Sequence, residues 1–375
     1  SPCPDSLPHV IAGRATLDGT KRFAGRSKAG KGHFRQFSAS VFLSSIGLGT
    51  YLGAENAETD RGYEECVRVA LTCGVNVFDS AINYRGQRSE RAIGRALAQA
   101  FSEGAFQRDE VYVSTKGGYL PHDAEDPRPA KTYILETFVE SGLAPRSEIV
   151  AGGHCLSPAY LLDQLARSRR NLGLETIDLY YLHNVESQRA ALDKPAFRKR
   201  LSAAAEVLES AAEAGEIGSW GLATWDGLRA PAEHPEHLSI AQALEIAREV
   251  AGDKHHFSAV QLPVNLAMPQ AIAYPSQDIG QGRVPVLRAA QALGLSVFGS
   301  ATLLQGRLAA GVPEEIDEAF PEAATPARRA IQFSRSAAGM TTSLVGVSTP
   351  EHARDDFSLC GTPPAEPARV TALFQ

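Results

Sequence analysis

Eight short apolar runs, each followed by a longer stretch with helical periodicity, recur along the 375-residue chain, and this alternation constrains the fold more than any other feature. A short apolar run followed by an amphipathic helix is the pattern of a βαβ unit, whose parallel strands are covered on both faces. The runs at 45–48, 75–78, 111–114, 177–182, 217–221, 258–261, 295–298 and 343–345 are expected as strands. The stretches at 61–73, 89–101, 157–172, 196–214, 240–251, 284–293, 325–338 and 350–357 are expected as helices. Capping chemistry agrees, with Ser89 and Glu90 in one first turn and Ser157-Pro158 as N-cap and first residue of another. Eight consecutive β-then-α units predict an α/β fold closed as a (β/α)8 barrel. An open sheet of eight parallel strands would leave two edges and require a reversal in strand order.

No long linker divides the chain, so residues 33–375 are read as one barrel domain preceded by an N-terminal extension, 1–32. That extension is rich in Gly, Pro, Lys and Arg and is expected to be lightly ordered. Its basic stretch, 21–35, is read as a solvated tail, with a partner-docking segment as the alternative. Two connections exceed ordinary length, 117–156 after the third strand and 266–282 after the sixth. Both follow the C-terminal ends of strands, where barrels carry their active sites, and are expected to be substrate loops.

Composition narrows the partners. A formal net charge of -6 gives no electrostatic footprint for nucleic acid or an anionic membrane surface, which leaves a small molecule. The cysteines, Cys3, Cys66, Cys73, Cys155 and Cys360, are scattered and odd in number, so a disulfide framework or zinc ribbon is not indicated. With no apolar run of signal-peptide or membrane-span length, a cytoplasmic protein is expected.

The strand ends carry the chemistry. Asp79 closes VNVFDS, Lys116 closes VYVSTK and His183 closes IDLYYLH, while Tyr84 lies just past Asp79. Barrel geometry draws the C-terminal ends of neighbouring strands around one mouth. Reducing a carbonyl by hydride needs a proton donor beside the oxygen that gains charge. Tyrosine serves if a neighbouring ammonium lowers its pKa, and a carboxylate keeps that ammonium charged and in place. A metal-dependent hydrolase or lyase would need a His-x-His pair or a carboxylate set at strand ends, which the sequence does not show. A metal site from His154, Cys155 and His183 lacks a further ligand, and His154 is expected to have a structural role.

The blocks GVNVFDSAINYRGQRSERAIGRAL, VYVSTK, SRRNLGLETIDLYYLHN and VGVSTPEHARDD, in this order, resemble the aldo-keto reductases, and HFRQFSASVFLSSIGLGTY resembles the family's barrel-plugging hairpin. The resemblance spans about residues 33–357. It implies a catalytic tetrad in which Tyr84 is the general acid in reduction and base in oxidation. Lys116 would lower its pKa, Asp79 would hold Lys116, and His183 would orient the carbonyl.

A G-x-G-x-x-G turn is absent where a Rossmann fold would need it, so the dinucleotide must be held at the loops after strands seven and eight and at a helix N-terminus. By resemblance, Gly299, Ser300, Leu303, Gln305, Gly306 and Arg307 follow the pyrophosphate. Gly346, Ser348, His352, Asp355 and Asp356 hold the adenosine end, and Thr224 and Gln261 meet the nicotinamide. Gly49, Thr50, Tyr51 and Asp79 border it, and Tyr51, Tyr84, His183, Asn184 and Trp225 are expected to meet substrate. The chain departs from the family at Ala223-Thr224, usually Ser-Asn, and at Asp356, usually Asn. NADP(H) is expected in preference to NAD(H), with the 2′-phosphate resting on Ser348, His352 and Arg354. The substrate is an aldehyde, ketone or sugar carbonyl, or the matching alcohol. His122, Asp123, Asn184 and Gln188 suggest a polar one. A monomer is the default, and a cofactor-binding regulatory subunit with little turnover is the alternative.

Overall fold

The computed structural model describes residues 10–37, 40–280 and 282–374. An antiparallel hairpin, β1 (Phe34–Phe37) and β2 (Val41–Ser44), leads into β3 (Ile46–Gly49), β4 (Val77–Asp79), β5 (Tyr112–Gly117), β6 (Ile177–His183), β7 (Ile217–Ala223) and β8 (Phe257–Pro263). A short ribbon, β9 (Gln277–Asp278) and β10 (Arg283–Val284), precedes β11 (Ser296–Ser300) and β12 (Thr342–Gly346). Strands β3 to β8, β11 and β12 form a closed parallel barrel, with β12 pairing back onto β3. This is the expected (β/α)8 barrel.

Several strands run on past their expected ends, β5 to Gly117 and β6 to His183. The hydrogen-bond ladder continues through Lys116 and His183, the polar residues expected to close these strands. The barrel interior is packed by Val77, Leu179, Tyr181, Ala259, Phe298 and Leu344, and Val41 and Leu43 of the hairpin close it from below. Outside the strands, a larger apolar layer joins them to the helices.

The lead-in is more ordered than composition indicates. Residues Leu17–Arg26 form a helix capped by Thr16, whose Oγ1 accepts from Gly19 N at 3.0 Å. Phe23 is buried there beside Phe34 and Phe106, at 5.9 and 6.1 Å between ring centroids. Arg22 and Arg26 pair with the fully buried carboxylate of Glu110 at 2.8 and 2.6 Å. Arg35 donates to the carbonyls of Met340 and Arg335 at 2.5 Å each. Three of the basic residues expected in a solvated tail are therefore spent on the barrel floor. Their partners lie some 80 to 300 residues away, beyond the reach of local composition.

The long connection after β5 builds a small layer of its own on the barrel face that holds the site. A helix, Ala130–Ile134, runs into a π turn, Leu135–Glu140. Tyr133, Phe138, Ala144, Cys155 and Tyr160 make its core. A bidentate Arg91–Asp123 pair, 2.7 Å on both arms, fastens it to the helix Arg88–Ser102. Cys66, Cys73, Cys155 and Cys360 are free thiols, and Cys3 lies outside the described residues. No helix among the described residues is long and apolar enough to cross a membrane.

Candidate active site

The C-terminal ends of β4, β5 and β6 bring three of the four expected residues together, and the loop after β4 adds the fourth. Lys116 Nζ donates to Asp79 Oδ2 and to Ser80 O, both at 2.6 Å. The other Asp79 oxygen accepts from Ser114 Oγ at 2.7 Å and Gln261 Nε2 at 2.9 Å. Lys116 Nζ stands 4.8 Å from the centre of the Tyr84 ring, and that ring meets His183 edge-on at 5.9 Å. Lys116 and Asp79 are almost wholly buried, so this ammonium and carboxylate interact in a medium that screens them weakly.

Burial and charge set the protonation states. Burial pushes the Tyr84 phenol up, and Lys116 pulls it back only in part, so its pKa stands above the ordinary tyrosine value. The expectation that Lys116 lowers this pKa holds for the lysine's own contribution and fails for the sum, because desolvation of the phenolate is larger. Burial opposes the Lys116 ammonium as well, yet Asp79 and Tyr84 outweigh it and its pKa is raised. His183 is driven well below the ordinary histidine range by burial and by the Lys116 charge. The resting site thus pairs a neutral phenol and a neutral imidazole with a charged lysine–aspartate pair.

His154 lies behind His183. Its Nε2 donates to the His183 carbonyl at 2.5 Å, and its Nδ1 accepts from Gln188 Nε2 at 3.0 Å. Both ring nitrogens are used, which makes His154 a brace for the end of β6. Gln188 is buried, bonded to His154 and to Arg200, and Asp123 is held by Arg91. His122 bonds Glu55 at 2.9 Å. Of the four polar residues expected to suit a polar substrate, only Asn184 lines the cavity.

A cavity of about 450 Å³ opens at the tetrad, lined by Gly49, Thr50, Tyr51, Asp79, Tyr84, His183, Asn184, Thr224, Trp225 and Gln261, and by Ser300, Leu303, Gln305, Gly306 and Gly346. A second, about 380 Å³, shares Leu52, Leu303, Gly306 and Gly346 with it and ends at Ser348, His352, Asp355 and Asp356. The two form one groove from Tyr84 to the helix Pro350–Phe357. Three expected residues stand outside its walls. A Cβ on Gly299 would meet Met340 and Ser334, so this glycine faces the helix layer. Arg307 is exposed beyond the turn, and Arg354 is exposed beside Glu351 at 3.8 Å. Gln261, expected to meet the nicotinamide, donates its amide to Asp79.

Other wall residues escaped the sequence reading. Tyr119 stacks edge-on against His183 at 5.2 Å and accepts from Asn184 Nδ2 at 3.1 Å. Asn83 Oδ1 is buried at the groove without a hydrogen-bond partner, as is Oγ1 of Thr224, which the sequence reading did name. Loop positions carry no periodicity, and only the proximity of Asn83 to Tyr84 in the sequence pointed to it. After β11 the chain coils tightly, with Ala301, Leu304 and Gln305 at positive φ, a strained turn of the kind found at ligand clamps.

At the far end, Asp356 is buried with no ion pair among the described residues, while Arg328 is engaged with Asp355. Burial and the Asp355 charge raise its pKa to about 6, against His352 and Arg328. An aspartate unfolds to a pKa of about 3.9. Because the fold holds this proton more tightly than the unfolded chain does, stability falls as pH rises from about 4 to 6 and stays lowered above. Without nucleotide, Asp356→Asn is expected to stabilise the protein by about 2 kcal/mol at about pH 7.5 and by almost nothing at about pH 4. Thermal melts at the two pH values check it, and equal shifts at both would remove the ionisation as the cause.

A family model described as the Aldo/keto reductase family matches residues 45–310. Aldose reductase B of Dictyostelium discoideum is 29% identical over 141 residues, covering 38% of this chain and 32% of that protein. The NADH-specific methylglyoxal reductase of Escherichia coli is 28% identical over 153 residues, 39% of this chain and 40% of that one. The L-glyceraldehyde 3-phosphate reductase of the same organism is 32% identical over 145 residues, 38% and 33%. The chain therefore matches well under half the length of these relatives. In fold, it resembles a Klebsiella pneumoniae aldo/keto reductase in complex with NADP and acetate, with a TM-score of 0.60 at 18% identity over 92% of this chain and 95% of that one. The glycerol dehydrogenase of Gluconobacter oxydans gives 0.63 at 18% identity over 91% and 94%.

Proposed function

The chain belongs to the aldo/keto reductase family, and on that premise we propose that it transfers a hydride between NADP(H), or less favourably NAD(H), and the carbonyl or alcohol carbon of a small neutral substrate. The observation that carries this reading is the buried Lys116–Asp79 pair beneath the Tyr84 ring, at the inner end of a groove that runs on to Ser348 and His352. The residues present fit such a cofactor. Thr224 Oγ1 and Asn83 Oδ1 offer unpartnered polar atoms at the tetrad end, the coiled turn at 301–306 lies midway, and Ser348 and His352 stand at the other end for the 2′-phosphate. The reduced nicotinamide supplies the hydride when bound.

The chain's own residues manage the proton. In reduction the neutral Tyr84 hydroxyl donates to the carbonyl oxygen as negative charge builds there. The phenolate it leaves is stabilised by the Lys116 ammonium, which Asp79 keeps charged and fixed. In oxidation the same oxygen takes the alcohol proton. His183, neutral at working pH, can hold the substrate oxygen by a hydrogen bond without competing as an acid. The alternative of a regulatory subunit loses ground because Arg22, Arg26 and Arg35, the core of its docking segment, are bound to the barrel floor.

None of the described residues lining the tetrad cavity is Lys or Arg, so a phosphorylated substrate would bring an unpaired dianion beside Asp79. Hydroxylated neutral carbonyls suit Asn184, Tyr119 and Thr224 instead. The test is oxidation of NADPH and NADH followed by absorbance across aldehydes, ketones and sugars. Glyceraldehyde is expected to exceed glyceraldehyde 3-phosphate in kcat/KM by about tenfold or more. Preference for the phosphorylated compound would sink the substrate assignment, and absence of turnover with every carbonyl would sink the enzymatic one.

A further inference from the structure

Immediately after Tyr84 the backbone makes three left-handed steps, Arg85 (φ 51°), Gly86 (φ 56°) and Gln87 (φ 68°). Two of the three carry side chains, for which this region is unfavourable, so something must hold the turn. Glycine is required at the middle position in any case, since a Cβ there would come within 2.9 Å of Ala124 and His122.

The hold is a buried ion pair that the tetrad does not use. Arg85 reaches away from the cavity to Asp60 on the helix Ala57–Cys73, Nη2 to Oδ1 at 2.5 Å, with both side chains nearly inaccessible. Its Nε donates to Ala54 O at 2.9 Å and its Nη2 to Asn56 O at 3.2 Å. The guanidinium lies 5.3 Å from the centre of the Tyr63 ring. The second Asp60 oxygen accepts from Arg88, just past the turn, at 2.8 Å. One carboxylate thus grips both ends of the left-handed segment, and the same guanidinium ties down the loop after β3, which carries Tyr51. Tyr51 and Tyr84 face each other across that junction at 5.1 Å between ring centres.

We infer that Arg85 and Asp60 are positioning residues for Tyr84: their buried pair sets the left-handed turn that places the phenol at the groove, and through it the rate of proton transfer. The inference rests on the reading of Tyr84 as the acid. The pair acts through geometry, since Arg85 reaches away from the cavity to Asp60, while the largest charge effects on the Tyr84 phenol come from Lys116 and Asp79. A lost tether is expected to lower kcat without moving the pH at which the rate changes, because displacement of a reacting group by about 1 Å costs up to about a hundredfold.

Arg85→Gly keeps the backbone freedom and removes the tether, and Asp60→Asn keeps the volume and removes the charge. Both are expected to lower kcat by about tenfold or more with the NADPH dissociation constant within about threefold. Added guanidinium ion is expected to restore part of the rate in Arg85→Gly. Amide hydrogen exchange at 84–88 is expected to quicken by about tenfold or more in both, with β5 and β6 unchanged. Wild-type kcat and wild-type exchange in either folded variant would overturn the inference. So would a loss confined to NADPH affinity. Should Arg85→Gly not fold, Asp60→Asn and Arg85→Lys decide the matter by the same two readings, because lysine cannot reproduce the fork. A wild-type protein without turnover would fail the functional reading, and exchange at 84–88 would then decide this one alone.

Discussion

Tyr84→Phe is expected to lower kcat by about three orders of magnitude while leaving the NADPH dissociation constant within about twofold, the range that loss of a general acid produces. The substitution removes one oxygen and keeps the ring, so the contacts with Tyr51, His183 and Lys116 survive. Neither His183 nor Lys116 can replace the lost donor. His183 is neutral and, once protonated, would be a far stronger acid than the task needs. Lys116 is committed to Asp79 and Ser80. Because the Tyr84 pKa lies above the ordinary tyrosine value, the phenol is fully protonated across neutral pH. Reduction by the wild type is therefore expected to hold level through that range, whereas oxidation, which needs the phenolate, should rise with pH. Stopped-flow reduction and nucleotide fluorescence titration measure the two quantities separately. A variant that retains more than about a tenth of the wild-type rate would place the acid elsewhere.

The barrel, and the convergence of Asp79, Tyr84, Lys116 and His183 at its mouth, were legible in the sequence because both rest on period and position. Strand-then-helix alternation needs no long-range information, and a polar residue at the C-terminal end of a buried strand has only the barrel mouth to face. The parts that were not legible depend on partners distant in the chain. The helix Leu17–Arg26 looks like a basic tail until Glu110 is known to lie beneath it. Asp123 and Gln188 look like substrate contacts until Arg91 and Arg200 claim them. Gln261 lines the cavity, and its amide also holds Asp79 Oδ1 beside Ser114, a tie across 182 residues that no local pattern announces. Glu186 is a further case: its buried carboxylate accepts from the Trp225 and Asp226 amides at 2.6 and 3.2 Å and so fixes the loop carrying Trp225. Nothing in a short acidic helix start distinguishes that role from an ordinary first-turn charge.

The lysine separates stability from catalysis more sharply than any other residue in the site. In Lys116→Met, Asp79 keeps its burial and loses its cation, so an uncompensated charge is left in the barrel, at a cost of about 3–5 kcal/mol. The melting temperature is expected to fall accordingly. The same change removes the cation that most opposes the desolvation of the Tyr84 phenolate, so the Tyr84 pKa must rise further. Oxidation of an alcohol is expected to lose about 10²- to 10⁴-fold, and its rise with pH should move to more alkaline values. Adding Asp79→Asn makes the two losses part company. The double variant carries no buried charge at this position, and its stability is expected to recover by half or more. Its rate is expected to regain only the part that the Asp79 charge costs the phenolate and to stay well below wild type, since neither change returns a cation to the phenol. Calorimetry and pH-resolved alcohol oxidation on the two single variants and the double one complete the cycle. Recovery of rate to the wild-type level along with stability would mean that Lys116 merely holds the strands together. Recovery of stability with the rate still far below wild type requires that its charge acts on Tyr84.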